Sequence, residues 1–195
     1  MKTFLNLTFV ILLWSCSPPG PLDEPGLYQF IRNEQNGLMK VKESNGFSLA
    51  LIYKPAELIA KQQLGSSSRK EFDSLVNHFS KYLYFTLEMT YHGKDLETAF
   101  GSDPGSFADK ISFLSSDFAQ DIQLTSEKDT LSVLDFVYSR SYGMGVSTCM
   151  MVFEKPKGED FTIMVSGNKI GFDLKEFLFQ KSKIENAPKL KLKLI

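Results

Sequence analysis

The sequence predicts a mainly β fold, an antiparallel β-sandwich that is either Ig-like or a partly closed barrel, with one or two short helices inserted in the N-terminal third. Three observations carry this. Stretches such as Phe47 to Lys54 and Tyr82 to Tyr91 alternate with a period of two, as a strand with one buried face does. Turn signals such as Asn36-Gly37, Asn45-Gly46 and Asp103-Pro104-Gly105 punctuate the chain at short intervals. A complement of 17 Phe and 7 Tyr supplies side chains suited to a pleated, half-buried surface.

Residues 27–54 have room for three strands in a meander, with Leu38 to Ser44 between the two Asn-Gly turns. In the next segment Phe47, Leu49, Leu51 and Tyr53 share one face, and Ser48, Ala50, Ile52 and Lys54 the other. Pro55 ends that register and suits the first turn of a helix. Good helix formers follow up to Gly65, a C-terminal stop. Ser68 and Glu71 match a capping box, ahead of Phe72, Leu75, Val76 and Phe79 at amphipathic helical spacing. Leu83, Phe85, Leu87, Met89 and Tyr91 then line one face of a strand, and residues 98–107 read as a loop. Strands are expected at 110–116, 119–126, 131–140, 147–155 and 160–167. A further candidate is 177–184, although 173–179 also suits a helical turn. Lys189, Lys191 and Lys193 alternate with Leu190, Leu192 and Leu194 at the end, the pattern of an edge strand with a wet Lys face. Eight to ten strands then form one β-rich domain over residues 27–195, a length that buries a sizeable core.

At the other end, Lys2 precedes an apolar run of eleven residues, Phe4 to Trp14, broken only by Asn6 and Thr8. A membrane-crossing helix needs about 20 apolar residues. The run fits the h-region of a secretory signal over residues 1–15, with Ser15 the small residue at the cut. Leu13-Trp14-Ser15-Cys16 resembles the lipobox of bacterial lipoproteins, an aliphatic residue, a variable one, a small one and Cys; Trp14 departs from the small or aliphatic residue usual there. The resemblance implies a diacylglyceryl group on Cys16, with palmitate-type acylation, and a Pro- and Gly-rich tether over 16–26. Each buried methylene contributes about 0.8 kcal/mol, and stable anchoring takes more than one chain. The stretches "LIYKPAELIA", "YFTLEM", "SRSYGM" and "FLF" are similar to small Bacteroidota-type lipoproteins, a resemblance that implies no activity. It implies a lipid-anchored envelope protein of the outer membrane facing the periplasm. Asp23 and Glu24 arrive after Pro and Gly, late for the acidic cluster that sends such proteins to the cell surface, and leave surface exposure open.

Loss of Lys2 with the leader takes the formal net charge from −1 to −2. That balance carries no basic excess for a nucleic-acid partner. With Cys16 lipidated, Cys149 is the one thiol left, which excludes an intramolecular disulfide.

No residue set reads as catalytic or metal-binding, and no cofactor is expected. His78 and His92 are the two histidines, at a helix end and beside a turn, where a zinc site wants more ligands. "GMGVSTC" at 143–149 fits neither G-x-S-x-G nor G-x-G-x-x-G and reads as a bend between strands. Cys149 alternates with Met151 and Phe153, as an inward-facing core thiol. Glu88 with Asp95 or Glu97 would imitate a carboxylate pair only if the fold joined them. Arg140 with Tyr142 is the candidate binding pair, since a guanidinium beside an aromatic ring takes a carboxylate, or else closes a sheet end.

Three functional readings follow. The first is a non-enzymatic binding or assembly module with an envelope protein as partner, held to the membrane through acylated Cys16. The second is a carrier of an apolar ligand or lipid, which needs a closed apolar cavity. The third is a hydrolase, which needs Glu88, His92, Ser147 or Arg140 to converge.

Overall fold

The computed structural model describes residues 20–64, 68–102, 104–140 and 142–192. Cys16, and with it the expected signal and the first residues of the expected tether, lies outside them. The described chain builds two antiparallel sheets. Met39–Ser44 (β1), Phe47–Lys54 (β2), Tyr82–Tyr91 (β3), Asp135–Ser139 (β6) and Ser147–Glu154 (β7) form the larger, in the order β1-β2-β3-β7-β6. Ile122–Ser126 (β4), Thr130–Ser132 (β5), Asp160–Gly167 (β8) and Phe172–Gln180 (β9) form the smaller, in the order β5-β4-β8-β9. The helices are Glu24–Arg32 (α1), Ala56–Gln63 (α2), Arg69–Phe79 (α3), Leu96–Phe100 (α4), Pro104–Ser116 (α5) and Lys181–Glu185 (α6).

Alternation along the strands gives each sheet an apolar inner face. Leu49 and Leu51 on β2, Phe85, Leu87 and Met89 on β3, and Cys149, Met151 and Phe153 on β7 are buried, as are Ile163, Val165, Phe177 and Phe179 on the smaller sheet. Phe85 bridges the layers, its ring centroid 6.2 Å from that of Phe161 and 5.0 Å from that of Phe179. The sandwich does not close into a barrel. On one side the chain itself passes between sheets, from β5 to β6 through Val133 and Leu134. On the other side β1 and β9 are both edges, and β1 turns Lys40 and Lys42 to the face it shares with Leu51 and Leu49. Inward-pointing Lys on an edge discourages pairing with another chain.

The outer face of β2 is also buried at Ile52, beneath α1, which contributes Leu27 and Ile31. Arg32 at the end of α1 grips Glu88 of β3 with two hydrogen bonds of 2.7 Å. At the start of α1, Glu24 pairs with Lys61 of α2.

The strands at 38–44, 47–54, 82–91, 147–155 and 160–167 and the two early helices form where the patterning puts them. Ser68 Oγ accepts the Glu71 N–H at 3.4 Å, as the expected capping box has it. Other segments differ. Residues 24–32 are helical rather than tether and strand, because Asp23 caps the turn by accepting the Gly26 N–H at 3.0 Å and Leu27 and Ile31 stack one turn apart. Residues 96–100 and 104–116 are helical rather than loop and strand. In α5, Ile111 and Leu114 are buried and Phe107 half-buried, at helical intervals, while Ser115 and Ser116 bond back to the carbonyls of Ile111 and Ser112. The expected strand 131–140 is two strands in different sheets. Residues 173–179 are strand within β9, and α6 follows at 181–185. Among the described C-terminal residues only Leu190 pairs, in a single parallel bridge with Leu22; Lys193 and Leu194 of the expected edge strand lie outside the described residues.

The register defines two ends. The Asn45-Gly46 and His92-Gly93 turns lie at one, with the β6–β7 loop, since Met89 is opposite Ser147 and Ser139 opposite Thr148. At the other end α2 and α3 connect Lys54 to Tyr82, beside Pro21 and residues 189–192.

Candidate functional site

The one buried polar cluster among the described residues lies where α4 meets β6 and β7. Asp95 is the N-cap of α4; its carboxylate accepts the Thr98 N–H at 2.7 Å and the Gly145 N–H at 3.2 Å. Glu97 and Ser147 are fully buried and Asp95 nearly so. The Ser147 hydroxyl donates to Glu97 Oε2 and accepts the Leu96 N–H at 2.9 Å. Tyr138 Oη donates to Glu97 Oε1 at 2.8 Å. Cys149 faces the same space beside Tyr138, its cross-strand partner.

Electrostatics follow from this geometry. Burial alone would raise the Asp95 carboxyl, but the N–H groups of Thr98 and Gly145 hold it below the ordinary range. Burial pushes the Cys149 thiol well above its ordinary value, and the charge of Glu97 adds to the effect. Burial does the same to the Tyr138 hydroxyl; the Ser147 hydrogen bond opposes it and Glu97 reinforces it. Every hydroxyl and carboxylate here has a protein partner, which is how a buried polar network stabilises a fold. An inert thiol and a satisfied serine are poor nucleophiles.

Above this cluster sits the β6–β7 loop. Gly143 and Gly145 hold φ of 73° and 79°, the left-handed region that glycine favours. Arg140 is exposed; Tyr142 is 68% and Met144 75% exposed. The Tyr142 ring meets that of Phe107 from α5 edge-on, centroids 6.4 Å apart. Leu134 and Val137, on and beside the edge strand β6, are also exposed.

The other sequence candidates scatter. Glu88 lies on the outer face, bound by Arg32, while Glu97 approaches the sheet from within, so no carboxylate pair forms. His78 and His92 flank β3, whose ten residues set them about 30 Å apart. His78 packs on Phe79, and His92 sits in its turn at φ 48° against Tyr91. No group of three or more His, Cys, Asp or Glu that could hold a metal occurs among the described residues. The Glu97 cluster has no sequence signature: its partners stand 41 and 50 residues away.

The concave regions are surface grooves. One of about 690 Å³ runs between β1 and β9, lined by Glu34, Lys40, Lys42 and Glu176 among others. Another of about 340 Å³ lies between α3 and residues 189–192. An apolar recess beside Leu83, Phe161 and Ile184 holds about 50 Å³, well below the roughly 300 Å³ at which ligand sites begin. No helix among the described residues is long and apolar enough to cross a membrane.

No family model, no curated protein and no solved structure matches this chain.

Proposed function

We propose that this chain is an envelope lipoprotein, anchored in the outer membrane through acylated Cys16, and that its sandwich is a non-enzymatic docking module for a protein partner. One observation carries the docking reading: Arg140, Tyr142 and Met144 stand together in solvent on a glycine-flanked loop whose base is fastened by Asp95 and Glu97. Arg, Tyr and Met are residue types enriched at protein interfaces. A rigid footing lowers the entropy lost when such side chains are ordered by a partner. The chemistry fits a surface with an apolar recess for Tyr142 and Met144 and a carboxylate for Arg140. The leader, Cys16 and the short tether support the anchoring half of the reading.

The test is a gentle-detergent purification from native membranes of wild type beside Tyr142→Ala/Met144→Ala, with Cys16→Ala as the anchor control. A stoichiometric protein that stays with wild type and leaves the loop variant, at unchanged melting temperature, is the expected result. Identical co-purifying proteins in both would defeat the docking assignment. Intact mass without acyl groups on Cys16 would defeat the anchor.

A further inference from the structure

Resting on the reading that Cys16 is acylated, we infer that the end of the domain built from α2, α3 and residues 189–192 is seated on the phosphate-bearing lipid headgroups, leaving the Tyr142–Met144 loop pointed away from the bilayer. The starting observation is where the chain enters the fold. The Leu22 N–H donates to the Lys189 carbonyl at 2.9 Å and the Leu22 carbonyl accepts the Lys191 N–H at 2.6 Å. Asp23 then caps α1, and Glu24 is tied to Lys61. The domain therefore begins at Leu22, not at Leu27.

Five residues lie between Cys16 and Leu22, six backbone steps in all. Even fully extended they span at most about 22 Å. The eight residues of β2 alone run about 27 Å from this end to the other. The point of attachment is thus held within a distance of the bilayer shorter than β2 itself, which favours this end as the one that meets the headgroups.

The charges agree with that placement. Lys189 and Lys191 are both exposed on the segment that clamps Leu22. Arg69 lines the same groove, over a floor of Phe72 and Leu190. Two carboxylates are present as well: Asp73 is paired with Arg69 at 3.1 Å, and Glu57 sits at the rim. Lysines near a membrane surface are drawn to it when the lipid is anionic.

The experiment uses the full lipidated chain in vesicles of phosphatidylethanolamine and phosphatidylglycerol. Lys191→Cys and Met144→Cys are labelled separately with a thiol-reactive donor dye, the buried Cys149 being shielded. Headgroup-linked acceptor lipids report proximity. Donor quenching several-fold stronger at 191 than at 144 is expected. Protein that carries acyl mass and floats with the vesicles, yet shows equal or reversed quenching, overturns the orientation alone. Protein that lacks acyl mass on Cys16 overturns the anchor reading, and the orientation with it.

Discussion

Tyr138 Oη donates to Glu97 Oε1 at 2.8 Å, joining the edge strand β6 to the short helix α4. Ser147 holds the other carboxylate oxygen. Removing the carboxylate strands two hydroxyls in the core, whereas removing the phenol strands one oxygen. Glu97→Ala is therefore expected to cost about 3 to 5 kcal/mol, and Tyr138→Phe about 1 to 2. Urea unfolding at neutral pH measures both, and equal costs would mean the two hydrogen bonds do not share one network.

Asp95 gives the fold an acid limb. Its folded pKa is depressed, so its contribution is complete above the unfolded value of about 3.9 and is lost as pH falls through the lower folded value. Asp95→Asn is expected to lose about 2 kcal/mol at pH 7. The same variant flattens the decline of stability below pH ~4. Melting temperatures from pH 7 down to 2 check this; a variant whose acid decline parallels wild type refutes it.

Cys149 works in the opposite direction. Its folded pKa is raised, so its contribution is present below the unfolded value of about 8.5 and declines as pH climbs above it. Native protein at pH 8 should react with a thiol reagent far more slowly than protein in urea. The Cys149→Ala variant should show a shallower loss of stability between pH ~9 and ~10. Fast native labelling would mean β7 opens more readily than its burial implies.

Gly145 tests the loop without touching any neighbour. Nothing lies within 4 Å of where its Cβ would stand, so the cost of Gly145→Ala is conformational, from φ 79°. About 1 to 2 kcal/mol is expected, with Gly145→Asn costing less. Thermal unfolding measures the pair, and an Ala variant as stable as wild type would show that the loop has another conformation available.

The Arg32–Glu88 pair fixes α1 to β3 with side chains 50% and 22% exposed. Its two-pronged geometry places it near the upper end of exposed pairs, about 1 kcal/mol. A double-mutant cycle with Arg32→Ala and Glu88→Ala should return that coupling in low salt and a smaller one at 1 M salt. A coupling indifferent to salt would mean burial, not charge, holds the helix.

Strands β2, β3, β7 and β8 are readable because one face of each carries polar or small residues among its apolar ones, which keeps the alternation visible over eight residues or more. Residues 110–116 misled for a local reason. Ile111 and Phe113 alternate with Lys110 and Ser112, and only a window reaching back to Phe107 reveals the longer period of α5. In α1, Pro25 and Gly26 looked like tether, yet Pro sits where its missing N–H costs nothing. Of the site, the bend at Gly143 and Gly145 and the inward Cys149 follow from local pattern. The Glu97 cluster does not, because its members meet only after β7 has paired with β3 and α4 has docked.

The bridge between Leu22 and Leu190 has a mechanical meaning. Leu22 and Leu190 run parallel, and two backbone hydrogen bonds join Leu22 to the neighbours of Leu190. On the proposed anchoring through Cys16, tension arriving from that side would load those bonds in shear before it reached the cap of α1. The load would be shared with the last described segment of the chain, and the sandwich core shielded until that junction slipped.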